Sequence, residues 1–115
     1  MRYGSVLREN FKVRWNLKGV VEDHHVIPKQ FKHHPVIRRH NYDMNASSNI
    51  VMMPTRYGKQ VLNVREDRLV HVGPHHKYNQ FVQRMLDSIQ NGDELEYLVS
   101  FLKQSCRYNP TQIPW

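Results

Sequence analysis

The strongest periodic signal in the chain lies in its second half. Within HHKYNQFVQRMLDSIQ, the apolar residues Tyr78, Phe81, Val82, Met85 and Ile89 recur at spacings of three and four, which lays a stripe along one side of a helix. Gly73-Pro74 predicts its start, with proline as the first helical residue, and Asn91-Gly92 its end. Asp93 is then the expected cap of a C-terminal helix over 93–104. Glu96 completes a capping-box pattern, and Leu95, Leu98, Phe101 and Leu102 form the apolar side. The proline-rich tail over 105–115 predicts extended chain, with Trp115 docked or free.

The first half is patterned on a shorter scale. SVLRENFKVRWN puts Val6, Phe11 and Trp15 on one side of a first helix, although its β-branched residues also permit a strand. Gly19 breaks that pattern, and GVVEDHHVI reads as a strand closed by Pro28. PKQFKHH and PVIRRH are short helical turns opened by proline. NYDMNASSN is a polar loop. IVMM, closed by Pro54, is a short, partly buried strand. VLNV and LVHV flank the charged RED and predict a hairpin or extended loop over 61–72. The order is strand, long loop, strand, helix, with further helices at both ends.

Length and charge narrow the picture. A chain of 115 residues suits one small domain. Its 17 Lys and Arg against 10 Asp and Glu leave a formal charge of +7, which favours a polyanionic partner, nucleic acid being the commonest. Cys106 is the sole cysteine, so no internal disulfide and no paired-cysteine zinc site is available. The N-terminus MRYGSVLRENF carries charge early and lacks a long apolar run. A cytoplasmic or nucleic-acid-associated protein with no signal peptide and no membrane segment is expected.

The candidate chemistry sits at the joints of the strand–loop–strand–helix unit. Neutral imidazole is the commonest metal ligand. His24 and His25 are neighbours on a strand, so they point to opposite faces. One could hold a metal while the other does a different job nearby. His75 and Asn79, four apart, share a helix face and could share a metal. His71 precedes the helix, and the Gly73-Pro74 turn could bring it to the same point. His76 lies about 100° round the helix and reads as exposed. His33, His34 and His40 read as surface residues, Asn41 and Asn45 as ordinary turn residues, and Glu22 as solvated.

HHVIP, then SSNIVMMP, then HVGPHHKYN, in that order, resemble the HNH nuclease superfamily and most closely its AHH branch. YDMNASSNIVMMP is also similar to the matching part of the nuclease colicins. The likeness spans about residues 20–90 and departs from the branch at Asp23, where that family has alanine. It implies an α+β fold, a ββα-metal (His-Me finger) core with flanking helices, in a single nuclease domain over 1–115. It also implies a metal-dependent endonuclease that cuts DNA with low sequence specificity, RNA remaining open as a substrate. In that likeness His25 resembles the general base, Asn49 the asparagine that braces the loop and keeps the base oriented, and His24 and His75 metal ligands. The colicin-like spacing of helix ligands, four apart, points to Asn79 as the remaining ligand, and the His-x3-His spacing to His71, the two competing or both contributing. One divalent ion is implied, Mg, Mn, Zn or Ni.

Lys29, Arg38, Arg39 and Lys77 surround the motif and suit backbone phosphate contacts, which are largely independent of sequence. An acidic inhibitor or immunity protein is a further expected partner. The competing reading is a non-catalytic nucleic-acid-binding module whose metal only holds the fold. The enzyme is favoured because His25 has no structural task in such a metal site.

Overall fold

A computed structural model of the chain describes residues 5–62, 68–70 and 75–115. Among them are five helices and one two-stranded antiparallel sheet, an α+β arrangement. Strand β1 (Val21–His25) pairs with β2 (Ile50–Pro54), setting His24 opposite Val51 and His25 opposite Ile50. Opposed residues of an antiparallel pair project to the same side. His24 and Val51 therefore face the core, and His25 and Ile50 face away from it. Val51 and Met53 meet Tyr78, Val82 and Leu86 of α4 (His76–Ser88) and Leu98, Val99 and Leu102 of α5 (Gly92–Tyr108) in the buried core. Both helical stripes read from the sequence face this core, with Phe81, Met85, Ile89 and Phe101 at its margin.

Helix α1 (Ser5–Arg14) forms as expected but turns the other way. Phe11 and Trp15 are exposed, while Arg8 and Lys12 are each only 7% exposed. Asp23 decides this, because a carboxylate in mid-strand must be paired when covered. Arg8 Nε meets Asp23 Oδ2 at 2.6 Å and Lys12 Nζ meets Oδ1 at 3.3 Å, which pins the helix across β1.

The alternation at VLNV misleads. Val61 ends a helix, α3 (Arg56–Val61); residues 63–67 and 71–74 of the expected hairpin lie outside the described residues. Thr55 starts α3 by accepting the Gly58 N–H, and its hydroxyl donates to the Gly19 carbonyl at 2.7 Å. Gly58 is required here by close approach. A Cβ at this position would lie 1.8 Å from the Val20 carbonyl oxygen.

Helix boundaries shift in the second half. Helix α4 begins at His76, two residues later than expected, and ends at Ser88. The cap of α5 is Asn91, not Asp93: Asn91 Oδ1 accepts the Glu94 N–H at 2.9 Å while the Glu94 carboxylate accepts the Gln90 N–H at 3.1 Å. The capping box is thus two residues earlier than its sequence reading. Helix α5 also runs on to Tyr108 rather than stopping at 104, because Ser105 and Cys106 are buried and extend its apolar face. The tail is not extended either. It makes a single turn at Pro110–Gln112, buries Ile113 and docks Trp115.

Two short helical elements fall where prolines announced them, a 3-10 turn at Lys29–Phe31 and α2 (Pro35–Arg39). His34 is not a surface residue. Its Nδ1 accepts the Val36 N–H to cap α2, and its Nε2 donates to Asp87 of α4 at 2.8 Å. No described helix is long and apolar enough to cross a membrane.

Candidate active site

The site forms where β1 frays, where the loop 41–49 returns and where α4 begins. Asn49 organises the first two. It is fully buried, and its side chain binds three backbone groups. Oδ1 accepts the Ile27 N–H at 3.0 Å, and Nδ2 donates to the Ile27 and Met44 carbonyls at 3.3 and 2.8 Å. An amide suits this position because it alone offers an acceptor and two donors on one planar group. Tyr78 fixes the third element. Its hydroxyl donates to the Val26 carbonyl, which ties α4 to the end of β1.

The strand splits the histidine pair as expected. His24 is 2% exposed and turns inward, where its ring meets His75 edge-on at a centroid distance of 5.4 Å. His25 is half-buried on the other side. Its Nε2 lies 3.1 Å from Asn45 Oδ1. With an amide oxygen as partner, Nε2 carries the proton and Nδ1 keeps the lone pair. Burial pushes the His25 pKa down, and Lys29 and Arg8 push the same way, against the Asn45 bond and the Asp23 carboxylate. Asn45 is the site residue that sequence reasoning missed. Nothing in its turn-rich surroundings marks it, since its partner is 20 positions away.

His75 caps α4 in a left-handed conformation, φ 37° and ψ 58°, which is uncommon for a residue with a side chain. Its Nδ1 lies 3.1 Å from Asn79 Oδ1. The pair therefore shares a face, as the four-residue spacing predicts, although His75 stands before the helix instead of in it. Trp115 packs on this group, 4.7 Å from the His75 ring centroid, 5.3 Å from His24 and 5.2 Å from Tyr78. It lines neither cleft beside the histidines.

Those clefts adjoin. One of about 400 Å³ is lined by Arg8, Asp23, His24, His25, Lys29 and His75. The other, about 640 Å³, runs along the first turns of α4 past His76, Asn79 and Gln83. Pro28, Lys29 and His75 line both, so together they make a groove with the histidines at its junction. Lys29 is the sole expected phosphate contact that lines the groove. Arg38, Arg39 and Lys77 are exposed but line neither part. His71 lies outside the described residues.

The donor set fits a divalent ion. Two imidazoles bound to one ion at about 2.1 Å and a near-tetrahedral angle have centroids about 5 Å apart, close to the 5.4 Å between His24 and His75. Asn79 adds an amide oxygen beside His75. Among the described residues, no group of three His, Cys, Asp or Glu side chains is placed to hold an ion, so this set rests on two histidines and an amide.

A two-stranded antiparallel sheet backed by a helix, with histidines at the strand end and the helix start, is compatible with the ββα core of HNH-type nucleases. The chain belongs to the AHH family, a nuclease family of the HNH/ENDO VII superfamily with conserved AHH, whose family model matches residues 8–104. In this chain the triplet reads Asp23-His24-His25. No curated protein and no solved structure matches the chain significantly.

Proposed function

We propose that this AHH-family chain is a metal-dependent endonuclease that hydrolyses DNA phosphodiesters with low sequence specificity. His25 is its general base. The observation that carries this reading is the state of His25 in the groove. Nε2–H is held by Asn45, while Nδ1 makes no hydrogen bond among the described residues, beside the His24–His75 pair. Nδ1 takes a proton from water, the resulting hydroxide forms a bond to phosphorus, and the bond to the 3′ oxygen breaks. That oxygen takes up a proton from solvent. Asn49 keeps the loop closed so that Asn45 can hold the imidazole. His24 and His75 would hold the ion, with Asn79, His71 or both completing the set. What a divalent ion supplies in such a place is polarisation of the phosphate and stabilisation of charge on the leaving oxygen. Lys29 and the N-terminus of α4, both on the groove, favour the phosphate. Contacts to backbone phosphates are alike in every sequence, which supports low specificity.

The test is plasmid cleavage with Mg, Mn, Ni or Zn and with EDTA. Metal-dependent nicking is expected from the wild type and none in EDTA. His25→Ala should abolish nicking while leaving metal affinity intact by calorimetry, whereas His24→Ala and His75→Ala should weaken metal binding. Intact DNA under every metal would overturn the reading. Comparing metal affinity in Asn79→Ala and His71→Ala identifies the remaining ligand.

A further inference from the structure

Beyond the histidine groove, a second feature lies on the outward face of the sheet. Ile50 stands opposite His25, and with Met52 and Phe11 it floors a cavity of about 300 Å³ whose rim is Ser47, Lys103 and Arg107. Phe11 is one turn along α1 from Arg8, which lines the cleft that holds His25. The His25–Ile50 pair therefore links that cleft to this cavity, His25 lining the one and Ile50 the other.

Lys103 and Arg107 are four residues apart on α5 and so project together. Arg68 is the third cation of the group. Two of them are fixed by the backbone: Lys103 Nζ donates to the Ser47 carbonyl at 2.7 Å, and Arg68 Nη2 to the Met52 carbonyl at 3.0 Å. Among the described residues no carboxylate pairs with any of the three, whereas Arg8, Lys12 and Lys18 each have an acidic partner. The Nε of Arg68 is buried and has no hydrogen-bond partner among the described residues. The cations also disfavour one another. After burial, Arg107 is what lowers the pKa of both Lys103 and Arg68. Dipole complementarity in the last turn of α5 accounts for Arg107 alone. It does not account for Lys103 and Arg68 beside it, which no carboxylate among the described residues meets.

We propose that Lys103 and Arg107, backed by Arg68, form a phosphate-binding shelf for the nucleic-acid backbone on the β2 side of His25. This rests on nucleic acid being the substrate. The shelf positions the strand that runs out of the groove across Ile50 and reads no sequence, since main-chain phosphates are alike in every sequence.

The experiment is fluorescence anisotropy of a labelled 20-base-pair duplex with the full chain in EDTA, across 50 to 200 mM NaCl. Each phosphate contact contributes about 0.9 to the slope of log affinity against log salt. Lys103→Gln with Arg107→Gln should flatten the slope by about 2 and weaken binding more than about tenfold at 0.1 M salt. Arg107→Gln alone, which touches no structural hydrogen bond, should flatten it by about 1 with a melting temperature lowered by no more than about 4 °C. A wild type that binds with a slope both variants leave unchanged overturns the shelf and leaves the nuclease reading standing. A wild type that binds no duplex in EDTA overturns the shelf, and the plasmid assay with metal then decides the nuclease reading separately.

Discussion

Asn49→Ala tests the link between the buried amide and the reacting groove. The substitution strands the Ile27 N–H and removes a donor from each of the Ile27 and Met44 carbonyls. Ile27 is fully buried, so water cannot replace the lost partner without opening the site. One stranded N–H costs about 1–3 kcal/mol, and the two carbonyls, which retain second lone pairs, add less. A total loss of about 3 kcal/mol is expected. For a chain of this length that lowers the melting temperature by roughly 12 °C, at about 4 °C per kcal/mol. Urea denaturation followed by circular dichroism measures the loss directly, and an unchanged slope with denaturant shows that only stability changed. The effect also reaches His25. Met44 is held by Asn49 and immediately precedes Asn45, whose amide oxygen accepts from His25. Nuclease activity should therefore fall even at temperatures where the variant is fully folded. A stability loss below about 1 kcal/mol would refute the reasoning, because it would mean that the three backbone groups find other partners cheaply.

Asn45→Ala should lower the single-turnover nicking rate by about 10- to 100-fold with little change in melting temperature. Asn45→Asp, which still accepts from Nε2, should restore most of that rate. Gly58→Ala drives a Cβ into the Val20 carbonyl and should cost about 2–3 kcal/mol in urea denaturation, with the backbone at the start of β1 displaced. Burial pushes the Cys106 thiol up to about 12. The folded chain keeps a proton that the unfolded chain loses above about pH 9, so stability should fall as pH rises from about 9 toward 12. Native Cys106 should correspondingly resist a thiol reagent at pH 8 and react once urea unfolds the chain.

Local pattern was enough wherever short-range physics decides structure. The stripes of α4 and α5, the prolines that open the short helical turns, and the strands at residues 21–25 and 50–54 were legible because burial period and backbone restriction act within a few residues. So was the division of His24 from His25, which follows from strand geometry alone. The order of the three motifs pointed to the nuclease family before any fold was known, and the family match over 8–104 agrees with it. Tertiary structure decided what depends on distant partners. Asp23 turned α1 so that Arg8 and Lys12 face inward and Phe11 faces out, against the hydrophobic pattern, because pairing a covered carboxylate outweighs burying one ring. Asn45 became the partner of His25 only through a loop closed by Asn49. Trp115 reached His24 and His75 only because α5 runs on to Tyr108 and the tail folds back. Each of these joins residues from different elements, and the period within one element does not show which residues of another will meet it.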